Sequence, residues 1–311
     1  MSQIAFPLTH AGQVENPFGY IEEATFGTLP SNPTFTATKI TTGITPHMDD
    51  MEMDVRQLGS HLLYGQSTGG HTYGFGITFN PFDLPFLKYG TEPPNYTTPA
   101  GTSATSLAFV LKYKRATGTA GMTSHTIQFL GSKCNTTELS ISSQGLVTAT
   151  QDWMCRDITV PSATPITGAT YPTFGSITTP ALSNVDGGNK PLTINSVQYA
   201  VKDFTINWNN NLIADTFSGS GLVDQLTVGA IEITGSFNTP EGQSLILEQF
   251  IHDFPQVEQN ADYLVKSGTM VIHMTGFKLL SNAPEGFEGG PTATNQHTFN
   301  FRCKSAGIAT S

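Results

Sequence analysis

The sequence predicts a mainly β protein with one main α-helix at about 240–254 and extended arms. Charged residues make up only 12% of the 311 residues, whereas a typical soluble domain has about 25%. The chain has 31 glycines and 20 phenylalanines and is rich in threonine, a composition typical of tight turns between half-buried, pleated surfaces. Apolar and polar side chains alternate in many short segments, with the two-residue period of a strand.

One segment in the second half of the chain shows this alternation most clearly. Phe204, Ile206 and Trp208 alternate with polar residues and predict a half-buried strand. The triplet Asn209–Asn211 then predicts a turn, because asparagine tolerates left-handed backbone. In the strand expected next, the apolar side chains change parity at Gly229–Ala230, which predicts a β-bulge there.

A helix is predicted directly after this second strand. Thr239 is a suitable N-cap, Pro240 suits the first helical position, and Glu241 places an acid in the first turn. Apolar side chains then recur at helical spacing until Pro255 ends the pattern, so one helix face is expected to lie on a sheet. The residues predicted to form the core and the helix packing are Trp208, Phe237, Leu247, Phe250, Ile251 and Phe254.

Alternation predicts further strands and one short helix elsewhere in the chain. The strands are expected at 34–42, 50–58, 71–79, 106–114, 125–130, 136–141, 146–153, 261–265, 269–280 and 297–303, and the helix at 82–89. The order of strand, Phe79-Asn80-Pro81 and helix is echoed by Phe237-Asn238-Thr239-Pro240 and the helix expected after it. This echo implies two similar β lobes rather than a solenoid, because nothing recurs a third time.

The clearest predicted hairpin has a three-residue loop that ends at Gly145. That loop sets a register in which Leu139 lies opposite Ala149. The same register places Cys134 and Cys155, which flank the hairpin, on opposite faces. We therefore predict free thiols, in keeping with an odd number of cysteines and a reducing compartment.

The domain organisation follows from composition. Prolines indicate an extended N-terminal arm at 1–35, because they break helices and central strands. Residues 36–311 are predicted to form a single β domain. Within it, the segment 157–190 is rich in proline, threonine, glycine and serine and is too long for an ordinary connection. It predicts a long loop or an arm that reaches a neighbouring subunit.

The charge balance excludes some partners. A net charge of −10 disfavours binding to the nucleic-acid backbone, which needs clustered lysine and arginine. It is compatible with a surface past which DNA slides without sticking. The chain opens without a signal-peptide pattern and has no run of about 18 apolar residues. We expect synthesis in a cytoplasm and no membrane insertion.

Two local patterns suggest chemistry, and both have simpler interpretations. Gly65–Gly69 matches the G-x-S-x-G pattern of serine hydrolases, but no helix is predicted after it to form the nucleophile elbow. A flexible loop is the preferred interpretation, with a hydrolase that uses Ser67 as a remote alternative. His47, Asp49, Asp50, Glu52 and Asp54 suggest a cation site as one interpretation. A hard cation needs oxygens that converge on one point, whereas Asp50, Glu52 and Asp54 share one strand face at about 6.6 Å intervals, which favours the other interpretation. They predict a solvated or lumen-facing acidic stripe.

The usual motifs of catalysis and cofactor binding do not occur. There is no phosphate-binding loop, no Cys/His zinc pattern and no dinucleotide fingerprint. We predict no catalytic residue, no metal and no cofactor. The sequence indicates a structural protein that works through its surface.

Three segments carry a resemblance to a known family. Glu23–Pro30 is similar to an opening of the form E-x-T-[YF]-G-T-x-P. The hairpin region Gly131–Trp153 follows, and then Phe204–Gly242, with its Asn-rich turn, Gly-Ser-Gly, strand and helix entry. In this order the segments resemble the major tail tube proteins of long-tailed, siphovirus-like bacterial or archaeal viruses.

The resemblance implies a fold, an assembly and a set of partners. It implies a tail-tube-like β-sandwich or barrel flanked by one main helix, whose subunits, usually six, close into a hexameric ring, with stacked rings forming the conduit for genome ejection. The implied partners are further copies of the chain, the tape measure, tail terminator and distal tail or baseplate proteins, and double-stranded DNA in transit. The implied location is the virion tail, after synthesis in the host cytoplasm.

The same composition is compatible with a second hypothesis. The chain is then another virion β protein, such as a capsid decoration or baseplate/distal tail protein. That class would form discrete rings or trimers rather than an open-ended stack.

Overall fold

The computed structural model confirms a mainly β protein. It describes residues 18–38, 40–56, 63–81, 84–91, 106–116, 122–142, 145–159, 162–173, 191–215, 222–240, 258–265, 270–284 and 296–309. The described strands form a 16-stranded sheet and a separate two-stranded ribbon, and they do not close into a barrel.

The elements fall into a first and a second lobe. The first lobe contains β1 (Gly19–Glu23), β2 (Thr36–Ala37), β3 (Ile40–Arg56), β4 (Leu63–Phe79), α1 (Leu84–Thr91), β5 (Ser106–Ala116), β6 (Met122–Ser142), β7 (Thr148–Cys155) and β8 (Asp157–Ile158). The second contains β9 (Leu192–Ile194), β10 (Val197–Tyr199), β11 (Asp203–Asn209), β12 (Ile213–Asp215), β13 (Gln225–Thr227), β14 (Glu232–Pro240), β15 (Gln259–Val265), β16 (Met270–Pro284), β17 (Gln296–Cys303) and β18 (Ser305–Ala309).

Strand β6 organises the first lobe because it changes partners along its length. Its first half pairs with β5 and β8, and its second half pairs with β7. Gly131 lies at the change of partners with a left-handed φ of 63°. The sequence predicted two strands here, 125–130 and 136–141, whereas the structure has one continuous strand.

Strand β16 changes partners along its length in the same way in the second lobe. Its first half pairs with β15 and β18, and its second half pairs with β17. Gly276 lies at the change of partners with a left-handed φ of 61°. The backbone N–H of Lys304 donates to Thr275 at 2.9 Å, as that of Arg156 donates to Leu130 in the first lobe.

The second lobe therefore repeats the first. Each of the seven strand ladders within the first lobe has a counterpart in the second. The register shift at Asn135 in β6 recurs at Leu280 in β16, four residues after the left-handed glycine in both strands. The two-lobe prediction has the right architecture, although the ladders pair Phe79 with Ala149 and Thr239 with His297. Thr239 therefore corresponds to Phe79 in the structure. The sequence echo had aligned Phe237 with Phe79, so that alignment was wrong by two residues.

One ladder joins the lobes. Strand β11 pairs antiparallel with the second half of β6, from Asp203 opposite Ser142 to Asn209 opposite Thr136. Phe204 and Trp208 are fully buried in this joint, and the indole N–H of Trp208 donates to Ala306 at 3.0 Å. Phe237, on the neighbouring strand β14, is also buried.

The cores of the two lobes are both aromatic but are packed differently. In the first lobe, the Phe75 ring lies 4.6 Å from Phe129 and parallel to Trp153. In the second, Gly235 takes the place of Phe75, and a Cβ there would lie 2.3 Å from the Phe301 ring. In the second core, the space that corresponds to the Phe75 side chain is therefore filled by the Phe301 side chain of β17 and not by a side chain of β14.

Local signals around β14 were misleading. Thr239 and Pro240 continue β14, opposite His297 and Gln296, so the predicted helix start at these residues is wrong. The rest of the helix at about 240–254, with Leu247, Phe250, Ile251 and Phe254, lies outside the described residues. The predicted short helix is confirmed as α1.

The predicted β-bulge at Gly229–Ala230 is also wrong. Residues 228–231 form a break between β13, which belongs to the ribbon, and β14, which belongs to the main sheet. The Gly229 N–H donates to the carbonyls of Asn210 and Asn211, both at 3.1 Å.

The three cysteines are free, as predicted, but not for the predicted reason. The bulge at Asn135 shifts the parity of β6, so Cys134 lies opposite Trp153. Cys134 and Cys155 are both buried with Trp153 in the core, so the prediction of opposite faces is wrong. The Cys155 thiol contacts the Ser132 hydroxyl at 3.4 Å and is not the cross-strand partner of Cys134.

The two predicted arms are described only in part. Within 1–35, strand β1 pairs with β5 and β2, while residues 1–17 lie outside the description. Within 157–190, the carbonyl of Thr170 accepts a hydrogen bond from Phe35 at 3.0 Å, and Tyr171 stacks on Phe35. The segment up to residue 173 thus lies on its own subunit, and residues 174–190 lie outside the description.

The left-handed glycine in β6 allows a stability test. In Gly131→Ala, the new Cβ would lie 2.8 Å from the Arg156 Cβ, and left-handed backbone costs about 1–2 kcal/mol for an L-residue. We expect a loss of at least that size in the free energy of unfolding, measured in urea. Gly76→Ala is the control, because its Cβ would meet nothing within 4 Å. Equal losses for both variants would contradict this account.

Candidate functional site

The turn after β1 is organised around the buried carboxylate of Glu23. The backbone N–H groups of Gly27 and Gly131 donate to its Oε2 at 3.1 Å. The hydroxyl of Ser106, the first residue of β5, donates to the same oxygen. One carboxylate therefore ties β1 and its turn to β5 and to the point where β6 changes partners.

Two cations cover the outside of this turn. The Arg156 guanidinium donates to the Phe26 carbonyl at 3.2 Å and lies 6.0 Å from the centre of the Phe26 ring. The Lys133 ammonium lies 5.7 Å from the same ring and donates to Leu226 in the ribbon at 2.8 Å. Burial lowers the pKa of Lys133. The Glu23–Pro30 turn is thus a structural junction held around one buried carboxylate.

A second polar junction lies where the two lobes meet. The carbonyl of Asn135, at the bulge in β6, accepts from the Asn210 N–H at 2.8 Å. Its side-chain oxygen accepts from the Leu212 N–H at 2.9 Å. The fully buried Asn210 side chain donates to Cys134 at 2.9 Å and to Gly90, near the end of α1, at 3.3 Å. These contacts fix the lobes and α1 to one another.

The most open surface of the first lobe is the β3–β4 hairpin. Among the described strands, β3 pairs only with β4, and β4 pairs with β7 only from Tyr73 to Phe79. The described part of the hairpin beyond Tyr73 has no further strand partner among the described residues. In that part of the chain, β3 thus presents an open edge along its 17 residues.

The acidic residues singled out by the sequence lie in this part of the hairpin. Asp50 pairs with His71, Glu52 with Thr68, and Asp54 with Gln66 in β4. The structure therefore places all three on the strand predicted to carry them. That they line a lumen remains a prediction.

The hydrolase pattern does not form a nucleophile elbow. Gly65–Gly69 lies inside β4, with Ser67 opposite Met53 in β3. The pentapeptide is neither an elbow before a helix nor the flexible loop that we expected.

The described residues do not assemble a catalytic or metal-binding cluster. His47 lies 4.0 Å from Asp152, and His273 lies 2.7 Å from Asp262, and these are partly exposed pairs. Within the described ranges, no group of three His, Cys, Asp or Glu side chains is placed to hold a metal. The helices in that part of the chain are too short or too polar to cross a membrane.

The cysteines have the properties of inert core residues. Burial raises the pKa of Cys134 and Cys155 far above that of an ordinary thiol, and raises that of Cys303 to about 12. Because the thiolate is the reactive form, these side chains stay protonated near neutral pH.

Sequence reasoning missed the residues that hold the junctions. Glu23 was quoted only as part of a motif, and Asn135 lay within the hairpin region Gly131–Trp153 without being singled out. The sequence carried one usable signal, the spacing Gly131-Ser-Lys133, which recurs as Gly276-Phe-Lys278.

The fold and its surfaces define a β-rich structural protein whose principal surface features are open strand edges. Residues 15–303 match the phage tail tube protein family, so the chain belongs to that family. It is accordingly a structural protein of the virion tail. A comparison with curated proteins found no match.

The Glu23 junction predicts a pH dependence of stability. Burial is the main cause that raises the pKa of Glu23 above 4.5, so the folded chain holds a proton that the unfolded chain releases. This contribution to stability is complete below the unfolded pKa and is lost as pH rises through the folded pKa, at about 1.4 kcal/mol per unit of pKa difference. Glu23→Gln should lack this loss.

The measurement is the free energy of unfolding of both proteins between pH 4 and pH 8. The wild type should lose stability relative to Glu23→Gln as pH rises. Glu232→Gln, at an exposed position on β14, should follow the wild type. Parallel curves for wild type and Glu23→Gln would refute the raised pKa.

Proposed function

We propose that this chain assembles with copies of itself into stacked rings that form the tail tube, the conduit through which the viral genome leaves. The observation that carries the proposal is the open edge of β3. An unpaired edge is a template for another strand, and proteins that keep a long one generally pair it in an assembly. Family membership supports a tube rather than an unrelated aggregate.

The geometry of such an assembly follows from general rules. Contacts between unlike surfaces of identical subunits close into a ring when the rotation permits, and the two unlike faces of that ring can stack without limit. We propose that six β units surround the lumen, following the six subunits that the resemblance implies. The ends of the tube then meet the tail terminator and the distal tail or baseplate proteins, and the lumen holds the tape measure protein before the DNA passes.

The charge of the chain suits the passage of DNA. A net charge of −10 repels phosphate, so DNA moves through the tube without being retained. We propose that Asp50, Glu52 and Asp54 on β3 contribute to the lining. This proposal rests on their place in the β3–β4 hairpin and on their charge.

Self-assembly has a direct test. The purified protein should form open-ended tubes of constant diameter in negative-stain electron microscopy, because each added ring leaves an identical face for the next. A compact monomer at every concentration in sedimentation velocity would refute the proposal. Discrete rings or trimers that never stack would favour the capsid decoration or distal tail alternative.

The proposed lining predicts an effect of charge reversal. Tubes of Glu52→Lys/Asp54→Lys should retain double-stranded DNA after a low-salt wash, whereas wild-type tubes should not, because lysines in the lumen attract phosphate. The retained DNA is measured after nuclease treatment of the outside. Glu258→Lys/Asp262→Lys makes the same charge change at exposed positions just before β15 and in its middle and should retain none. Equal retention by both variants would place the acids outside the lumen.

A further inference from the structure

Because the second lobe repeats the first, the joint between the lobes indicates which strand edges would pair between neighbouring chains. Within one chain the lobes are joined by β11 and the second half of β6. By strand order and pairing, β11 corresponds to β3, and β6 corresponds to β16. The counterpart of the internal joint would therefore be a pairing of β3 with the second half of β16.

Those two strands are also the ones left open. In the described part of the chain, β3 pairs only with β4, and the second half of β16 pairs only with β17. Their counterparts β11 and β6 have both edges paired at the corresponding positions. The subunit thus lacks one ladder at each end of its sheet, and the two gaps are complementary.

We propose that neighbouring chains join as the two lobes of one chain join: β3 of one chain pairs antiparallel with the second half of β16 in the next. This proposal rests on the ring assembly proposed above and names the joint from which the ring is built. The partner is a second copy of this chain, held by backbone hydrogen bonds along the shared ladder.

The ladders fix the correspondence residue by residue. Trp153 lies opposite Cys134, and Phe301 lies opposite Leu279, each just before the bulge. In the first lobe, Trp153 lies opposite Phe75 in β4, and Phe75 lies opposite Pro46 in β3. In the second lobe, Phe301 lies opposite Gly235 in β14, and Gly235 lies opposite Ile206 in β11. Pro46 therefore corresponds to Ile206, and the two residues that follow correspond in the same way.

The same correspondence gives the register between chains. Asn207 lies opposite Glu138, and Trp208 lies opposite Thr137, in the internal joint. Their counterparts place His47 opposite Ala283 of the next chain, and Met48 opposite Asn282.

Exposed apolar side chains support this placement. Met48 is 36% exposed, and Leu280, the bulge residue of β16, is 48% exposed. Trp208, the counterpart of Met48, is fully buried in the internal joint. A copy of that joint between chains would bury Met48 as the internal joint buries Trp208. It would also remove part of the Leu280 side chain from water, because the counterpart Asn135 is half-buried in the internal joint.

The proposal sets the number of chains in a ring. Each chain supplies two of the β units that surround the lumen, so a ring of six units contains three chains. Three chains of 33.3 kDa weigh about 100 kDa, whereas six would weigh about 200 kDa.

The test is a disulfide across the joint. Directly opposite residues of an antiparallel pair have Cα atoms about 4.5–5.5 Å apart, which a disulfide can bridge. Tubes of full-length His47→Cys/Ala283→Cys should form intermolecular disulfides on mild oxidation. The monomer should disappear from a non-reducing gel, and the ladder should end at three chains.

Controls separate the joint from chance crosslinking. Each single variant should give no ladder, because Cys134 and Cys155 are buried and the partly buried Cys303 has a pKa raised by burial to about 12, so its thiol stays protonated and unreactive. His47→Cys/Asn282→Cys should give little, because a one-residue shift turns the side chain to the other face. The mass of wild-type rings released from tubes, measured by native mass spectrometry, checks the chain count even when the double variant does not assemble.

Each outcome separates this inference from the proposed function. Tubes of the double variant without crosslinks would overturn the joint and leave the tail tube assembly standing. A ladder that continues to six, or a released ring of about 200 kDa, would overturn the three-chain ring. A wild-type protein that never forms tubes would overturn the proposed function and this inference with it.

Discussion

The antiparallel pairing of β6 with β11 is the interaction on which the architecture depends. A strand edge exposes backbone donors and acceptors that must find partners or remain in water. In this ladder, β11, the first long strand of the second lobe, supplies the hydrogen-bond partners for the outer edge of the first lobe. It turns two similar units into one sheet, brings Asn210 onto the bulge at Asn135, and buries Trp208. The same requirement for backbone partners governs the ladders within each lobe, and it leaves β3 and the second half of β16 as the edges without a partner in the described part of the chain.

The positions of many strands could be predicted from the sequence because alternation is a local signal, although Gly65–Gly69, expected to be a loop, lies inside β4. The segment around Phe204 and Trp208 is a strand as predicted, and its burial alternates along its whole length. Partner exchange could not be predicted this way. Strand β6 continues through Gly131 because different neighbours hold its two halves, and nothing local marks that change. Thr239 and Pro240 have strong helix-start propensities, yet the ladder with β17 overrides them.

The junctions show why the site was harder to predict than the fold. A carboxylate such as that of Glu23 is costly to bury unless several donors surround it. Its donors come from Gly27, Ser106 and Gly131, which are far apart in the chain. The bulge at Asn135 had an equally large effect, because one extra residue reversed the parity of Cys134. Such features depend on contacts between distant segments, and a single sequence gives only hints of them.

The two lobes have the same ladders but unequal polar contacts, and this difference suits the two kinds of joint. In the internal joint, the Asn210 amide donates to two carbonyls and the Asn135 side chain accepts from Leu212. The corresponding positions in the proposed joint between chains hold Asp50, which has no amide to donate, and Leu280, which has no polar side chain. The internal joint forms within one polypeptide, at the high effective concentration of linked segments, and can be made permanent. In the proposed assembly, a joint with fewer polar contacts would form only where subunits are concentrated, and the chain would fold as a separate unit before it enters a tube.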